Sequence, residues 1–319
     1  MPKTKYAVGI DLGGTFIKIG IVTEKGKIIK KVEIESKAVE GPKEVLKQLN
    51  KGIKLILMNN KQKIEGIGIG SPGLINSKKG TVENPPNFPG WGKVNLKKAI
   101  QKNFNLPVEI ENDANAAAVG ELIYGAGNKF RSFIMVTLGT GVGGGVIFNK
   151  KVYHGDSGAA GEIGHITIDF NGAPCKCGSI GCIESYVGNN YLTERIKKDL
   201  KHNPDSAIVT LVEGDYKKIT PRIVNEAALL NDGYAKSVIS DTGAKLGYAL
   251  ASVINVLDIA NVIVGGGVAG FGQLLFDSLE HSIKERVLIP IKPRIKVKPA
   301  KLKNEAGIKG ASALVFYKS

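Results

Sequence analysis

Tyr6–Val22 reads YAVGI-DLGGT-FIKIGIV, two apolar runs hinged on a polar, glycine-rich turn, which predicts strand, tight turn, strand. Lys25–Lys31 (KGKIIKK) predicts a turn and a third strand. In Val39–Asn60 the rhythm changes: Val45, Leu46, Leu49, Ile53, Ile56 and Leu57 recur at helical spacing after Gly41-Pro42, a helix start. Ile64–Gly70 is a short buried strand, and Gly80–Gly92 (GTVENPPNFPGWG) a proline-rich loop holding the one tryptophan. Val94–Asn103 predicts a helix, Val108–Glu111 a strand and Ala114–Tyr124 an alanine-rich helix.

At Phe133 the opening pattern returns as FIMVTLGTGVGGGVIF, through Phe148. Asp11–Thr15 (DLGGT) overlays Thr137–Gly141 (TLGTG), with apolar strands on both sides. Two copies of one hairpin imply two similar α/β lobes facing one another across a cleft. From Asn189 the chain turns helical, most regularly over Asp232–Leu257, while Thr210–Thr220 shows no assignable period. Asn261–Val264 predicts a strand ending in Gly265-Gly266-Gly267, and Gln273–Arg286 and Ala306–Tyr317 predict helices. The expected division is a small lobe over 1–118, with a C-terminal helix at 306–319 packing back on it, and a larger lobe over 119–305.

With 319 residues, 43% hydrophobic and 23% charged, the composition is that of a soluble globular protein of two domains or one large one. Met1–Lys5 carries no charged-then-apolar leader, and no apolar run is long enough to span a bilayer. The net charge of +15 raises nucleic acid as a partner. Yet 39 of the 44 basic residues are lysines scattered along the chain, and arginine, which dominates base and phosphate recognition, is sparse. The densest basic patch, Ile291–Lys298 (IKPRIKVK), alternates with period two, as in a half-buried edge strand with a charged outer face. The expectation is therefore no nucleic-acid and no membrane partner, and a surface suited to small anions.

Gly158–Ser185 (GAAGEIGHITIDFNGAPCKCGSIGCIES) holds all three cysteines. His165, Cys175, Cys177 and Cys182 read H-x9-C-x-C-x4-C, with Gly172, Gly178 and Gly181 between them for tight turns. Three thiolates and an imidazole make a complete tetrahedral set for a structural Zn²⁺ with no open position. The other reading is three reduced thiols beside a surface histidine. An odd count leaves no full disulfide pairing, and reduced cysteines point to the cytoplasm.

Three glycine turns lie at strand ends: Gly13-Gly14, Gly139–Gly145 and Gly265–Gly267. Such turns expose backbone N–H groups to phosphate oxygens. Asp11 could hold Mg²⁺, directly or through water, and Thr15 and Thr140 offer hydroxyls. Each turn alone is equally a plain hairpin; two aligned copies and a third run favour a nucleotide site. Gly139-x-Gly141-x-x-Gly144 matches the dinucleotide fingerprint only formally, because a strand rather than a helix follows it.

DLGGT (11–15), ENDANAAAVGE (111–121), LGTGVGGG (138–145), AGEIGH (160–165), CKCGSIGCIE (175–184) and GGGV (265–268), in this order, resemble the ROK family of sugar kinases and sugar-responsive regulators. The likeness is greatest to its bacterial ATP-dependent glucokinases. It implies an α/β, actin-like (ribonuclease H-like) two-lobe ATPase fold with a cleft between the lobes and a structural zinc loop at 158–185. It further implies ATP-dependent phosphorylation of a hexose, glucose to glucose 6-phosphate, with Asp113 as general base. Asp113 lies where a strand meets a helix and could instead merely cap that helix. By the same resemblance Asn87, Asn112, Glu162, His165 and Glu184 are sugar ligands, His165 sharing its ring with the zinc; exposed loop charge is the plainer account of Glu162 and Glu184. Gly13, Gly14, Thr15, Gly139, Thr140 and Gly141 would cradle the phosphates, with Gly265, Gly266 and Gly267 near the adenosine. His154 reads as a surface or secondary residue. Family repressors carry a helix-turn-helix ahead of DLGGT, whereas ten residues precede Asp11 here, which favours a kinase. N-acetylmannosamine, fructose or allose remain alternative acceptors, and a sugar sensor without turnover remains an alternative role. The resemblance implies homodimers or homotetramers.

Overall fold

The computed structural model describes residues 4–317, which form two compact units. One comprises Met1–Arg131, Gly145–Gly161 and Lys301–Ser319; the other Ser132–Gly144 and Glu162–Ala300. This differs from the boundary expected at 118/119, which would cut an uninterrupted helix, Asp113–Tyr124. It also differs in giving the first unit the segment Gly145–Gly161, including the start of the 158–185 loop.

In the first unit, β1 (Tyr6–Leu12), β2 (Phe16–Thr23) and β3 (Ile28–Glu35) form an antiparallel meander. Helix α1 (Pro42–Leu57) buries Val45, Leu49, Ile53 and Ile56 over it, with Gly52 against Ile19 and Ile34. Strand β4 (Ile64–Ser71) follows. The stretch read as a loop, Gly80–Gly92, contains β6 (Thr81–Glu83), which pairs with β5 (Leu74–Asn76) before it and β7 (Lys93–Asn95) after it in a small antiparallel sheet. Trp91 is its plug: it is buried, donates Nε1–H to the Val82 carbonyl at 3.2 Å and meets Phe88 edge-on. Then come α2 (Leu96–Phe104), β8 (Val108–Asn112) and α3 (Asp113–Tyr124).

The second hairpin is β9 (Phe133–Leu138) and β10 (Val142–Phe148), followed by β11 (Lys151–Val152). Past the cysteine loop run α4 (Glu184–Val187), α5 (Asn189–Asp199), α6 (Ala207–Leu211), α7 (Pro221–Leu229) and α8 (Gly233–Leu257). Strand β12 (Asn261–Gly265), α9 (Gln273–Arg286), β13 (Lys296–Pro299) and α10 (Ala306–Phe316) complete the chain. Residues 318 and 319 of the expected last helix lie outside the described residues. The basic patch is a strand only over its second half, because Pro293 sits in a 3-10 turn at Lys292–Arg294. Its place is at the edge beside β12, as the alternation predicts.

The two five-stranded sheets have orders β3-β2-β1-β4-β8 and β11-β10-β9-β12-β13. Position by position these are one topology, with β1–β4–β8 and β9–β12–β13 all parallel. The repeat read from the glycine turns is therefore a repeat of whole sheets. Among the described residues no helix is long and apolar enough to cross a membrane.

Helix α10 returns to the first unit and packs on β1, β4 and α3. The approach is close enough that glycine is required beneath it: a Cβ on Gly9 would strike the Ile308 carbonyl, and one on Gly68 the Ala311 carbonyl. Gly68→Ala should thus force backbone apart and lower stability by about 1–3 kcal/mol, read as an earlier midpoint in thermal or denaturant unfolding.

Candidate active site and metal centre

Strand β8 ends at Asn112 and α3 begins at Asp113 with no intervening loop. The cap is supplied by Asn112, whose Oδ1 accepts from the N–H groups of Ala114 (2.9 Å) and Asn115 (3.2 Å). Capping therefore does not explain Asp113. With its oxygen so engaged, any part Asn112 takes in sugar binding falls to its amide nitrogen. Asp113 is exposed yet has protein packed closely around it, and this desolvation pushes its carboxyl upward from its ordinary value. The Ala114 N–H, 2.8 Å from Oδ1, holds it down in part.

Asp11, on β1, is raised too, first by burial and then by the negative charge of Asp113, with Lys18 opposing. Two carboxylates that repel one another make a donor set fitted to a divalent cation, and Asp11 would hold it. The turn after Asp11 is closed by the Gly13 N–H on the Phe16 carbonyl, and by buried Ser36, whose Oγ donates to the Gly14 carbonyl at 2.6 Å. Thr15 is exposed, and Asn87 stands beside Gly14, where a Cβ would lie 3.1 Å from that of Asn87. Asp11, Gly13, Gly14, Thr15, Asn87, Asn112 and Asp113 thus share the first unit.

In the second unit, the Gly139 carbonyl accepts from the Asn189 N–H, and the Val142 N–H donates to Glu184 Oε2 at 2.8 Å. The turn Gly139–Gly141, with Thr140 exposed, is so tied to the starts of α4 and α5. Gly265 pairs with Thr137, and Gly266, at φ +90°, leaves no room for a Cβ against the Leu138 backbone. Two glycine runs far apart in sequence are thereby neighbours.

His165, Cys175, Cys177 and Cys182 converge, with all their ligand atoms within 4.8 Å of one another. Cys177 and Cys182 are 3.7 Å apart at sulfur, and Cys175 Sγ lies 3.8 Å from His165 Nδ1. A tetrahedron with Zn–S bonds of about 2.3 Å has edges of about 3.8 Å, so the set fits zinc. The loop is braced by short pairings, Thr167 with Cys182 and Pro174 with Ile180, and by left-handed Gly178 and Gly181. Gly172 does a different job from the turn expected of it, since a Cβ there would collide with the Tyr186 hydroxyl. That hydroxyl accepts the Ala173 N–H and donates to Asp169. With Nδ1 facing the sulfurs, His165 turns Nε2 toward Glu162, 3.9 Å away. Glu162 is exposed, whereas half-buried Glu184 is built into the turn, which sets aside the reading of Glu184 as loose loop charge.

One contact escaped the sequence reading. His154, there a surface residue, places Nε2 2.7 Å from Oε2 of buried Glu111, at the end of β8. The carboxylate raises the pKa of His154, against burial and the nearby Lys78. Glu111 stands within the ENDA motif, but its neighbour lies 43 positions downstream, and no local pattern announces the pair.

Two sheets of one topology, each led by a glycine-turn hairpin, define an actin-like ATPase fold. The ROK family profile matches residues 7–318, and the chain belongs to the ROK family. It is 34% identical to a glucokinase of Halalkalibacterium halodurans, over 98% of this chain and 95% of that protein. It is also 34% identical to a xylose repressor of Caldicellulosiruptor bescii, over 97% of this chain and 77% of that protein. The crystal structure of a ROK glucokinase from Streptomyces griseus with glucose and AMPPNP superimposes with a TM-score of 0.85 at 33% identity, over 97% of this chain and 98% of that one.

If the four-residue cluster holds zinc, metal analysis of the purified protein should find one equivalent per chain. Cys182→Ser should abolish it and lower the unfolding temperature, because structural zinc binding contributes folding free energy.

Proposed function

We propose that this protein is a sugar kinase that uses Mg²⁺-ATP to phosphorylate a hexose, with the 6-hydroxyl of glucose as acceptor. The observation that carries this reading is the state of Asp113, a carboxylate freed from capping duty, reachable from solvent, and raised toward proton affinity by its surroundings. As the sugar oxygen attacks the γ-phosphorus, its proton passes to Asp113, and the bond from that phosphorus to the ADP oxygen breaks. The likeness to glucokinases and to a structure holding glucose and AMPPNP supports the same donor and acceptor.

In this reading Asp113 is the base, Asn87 and Asn112 are sugar ligands, and Gly13, Gly14 and Thr15 form a phosphate turn, with Asp11 holding Mg²⁺. Glu162, His165 and Glu184 are further sugar ligands, and Gly139, Thr140 and Gly141 form a second phosphate turn. Gly265–Gly267 lie toward the adenosine. Carboxylates and amides suit sugar hydroxyls because each hydroxyl both donates and accepts. His165 adds direction, since a ring fixed through Nδ1 has one defined vector for Nε2.

A second reading, a sugar-responsive regulator without turnover, is favoured by the xylose repressor at the same identity. Release of ADP from Mg²⁺-ATP, measured across glucose, mannose, fructose, allose, N-acetylglucosamine and N-acetylmannosamine, separates the two. Turnover with glucose above the others is expected; sugar binding without turnover would establish the regulator. Asp113→Ala should cost about 10²–10⁴ in rate. Its thermal midpoint should stay near that of the parent, because Asn112 still caps α3.

A further inference from the structure

Glu111 is buried, and both its oxygens are used. Oε1 accepts the N–H of Asn112 at 2.9 Å and Nδ2 of Asn115 at 3.2 Å, while Oε2 meets His154 Nε2 at 2.7 Å. The first two bonds lie within the β8–α3 junction that carries Asp113; the third reaches the segment after β11. His154 is half-buried at the rim of a hollow of about 550 Å³, lined also by Lys78, Lys97, Lys151, Glu109 and Asp156. No residue of this network is among the expected sugar, phosphate or zinc ligands except Asn112.

We infer that Glu111 and His154 form a positioning pair, in which the His154 Nε2–H holds the Glu111 carboxylate so that Glu111 fixes the backbone presenting Asp113. The inference rests on Asp113 being the base of the proposed kinase. Its physical ground is that a buried carboxylate must have both oxygens satisfied or it shifts to find partners. Without His154, Oε2 would turn toward solvent and draw Oε1 off Asn112 and Asn115. The consequence at Asp113 is a displaced carboxylate with no altered affinity for ATP, while affinity for the sugar follows any shift of Asn112, which Glu111 also holds. Because the acceptor is a carboxylate, Nε2 must carry a proton in both the neutral and the charged ring.

The test pairs His154→Ala, which removes the donor, with His154→Gln, whose amide nitrogen can take the place of Nε2. Displacing a reacting group by about an ångström costs up to about 10²-fold, so His154→Ala should lower kcat about tenfold or more while KM for ATP stays within about twofold. His154→Gln should restore most of it. Should His154→Ala not fold, His154→Phe fills the ring's volume without a donor and takes its place. Nitrogen NMR of the unaltered protein should show Nε2 protonated. A folded donor-less variant with parental kcat, a His154→Gln variant as slow as the donor-less one, or a neutral Nδ1–H tautomer would each overturn the pair. Asp113→Ala, run alongside, separates the failures: full turnover in that variant removes the base itself, whatever His154 does.

Discussion

Two carboxylates buried at opposite ends of α3 govern the part of the structure that matters most for chemistry. At the start, Glu111 accepts from the Asn112 backbone, from Asn115 and from His154. At the end, fully buried Glu121 accepts from the Ala126 N–H at 2.6 Å and the Leu302 N–H at 2.8 Å. Charges are tolerated inside a protein only where such donors surround them, and the requirement runs both ways. Each carboxylate needs its donors, and the donors belong to segments that must therefore stay in place. Helix α3 is held at its N-terminal end to the strand before it, and at its C-terminal end to the stretch leading into α10. Asp113, its first residue, inherits that rigidity.

The second unit uses a different means to the same end. Its glycine turn, Gly139–Gly141, has no side chains able to brace it, so bracing comes from outside, through the Asn189 N–H and Glu184. Glu184 follows the last cysteine by two positions, and its other oxygen lies 3.9 Å from Cys175 Sγ. Order in the cysteine loop and order in the turn are therefore mechanically joined. A structural metal here would stiffen the Gly139–Gly141 turn, the proposed phosphate site, through Glu184.

Kinship narrows function less than it narrows fold. A glucokinase and a repressor are equally similar to this chain, each 34% identical over the aligned length, as expected when function resides in a few groups on a common scaffold. Discrimination among hexoses is a matter of single hydroxyl positions, each met by a donor or acceptor whose loss leaves a buried group unpaired. In the proposed kinase Asp113 has a chemical task that a sensor would not require.

The sequence by itself determined the longer elements and the grouping of the cysteines with His165. Apolar runs against glycine turns marked both hairpins, helical spacing marked α1 and α8, and the H-x9-C-x-C-x4-C spacing marked the four residues that cluster as a metal could require. These signals are local, set by side-chain period and turn chemistry within a few residues. Tertiary structure decided what depends on distant segments meeting. The three-stranded sheet built around the proline-rich stretch takes its form from Trp91 packing under Val82, and the place of Gly265–Gly267 from β12 pairing with β9. The unit boundary after Arg131 and the return of 145–161 follow from packing, which carries no period in the chain. Asn112, not Asp113, proved to be the cap, a matter of one residue's φ and ψ that composition cannot set. The bond between Glu111 and His154 is the clearest instance, because a buried charge chooses its partner in space and leaves no mark on the residues between.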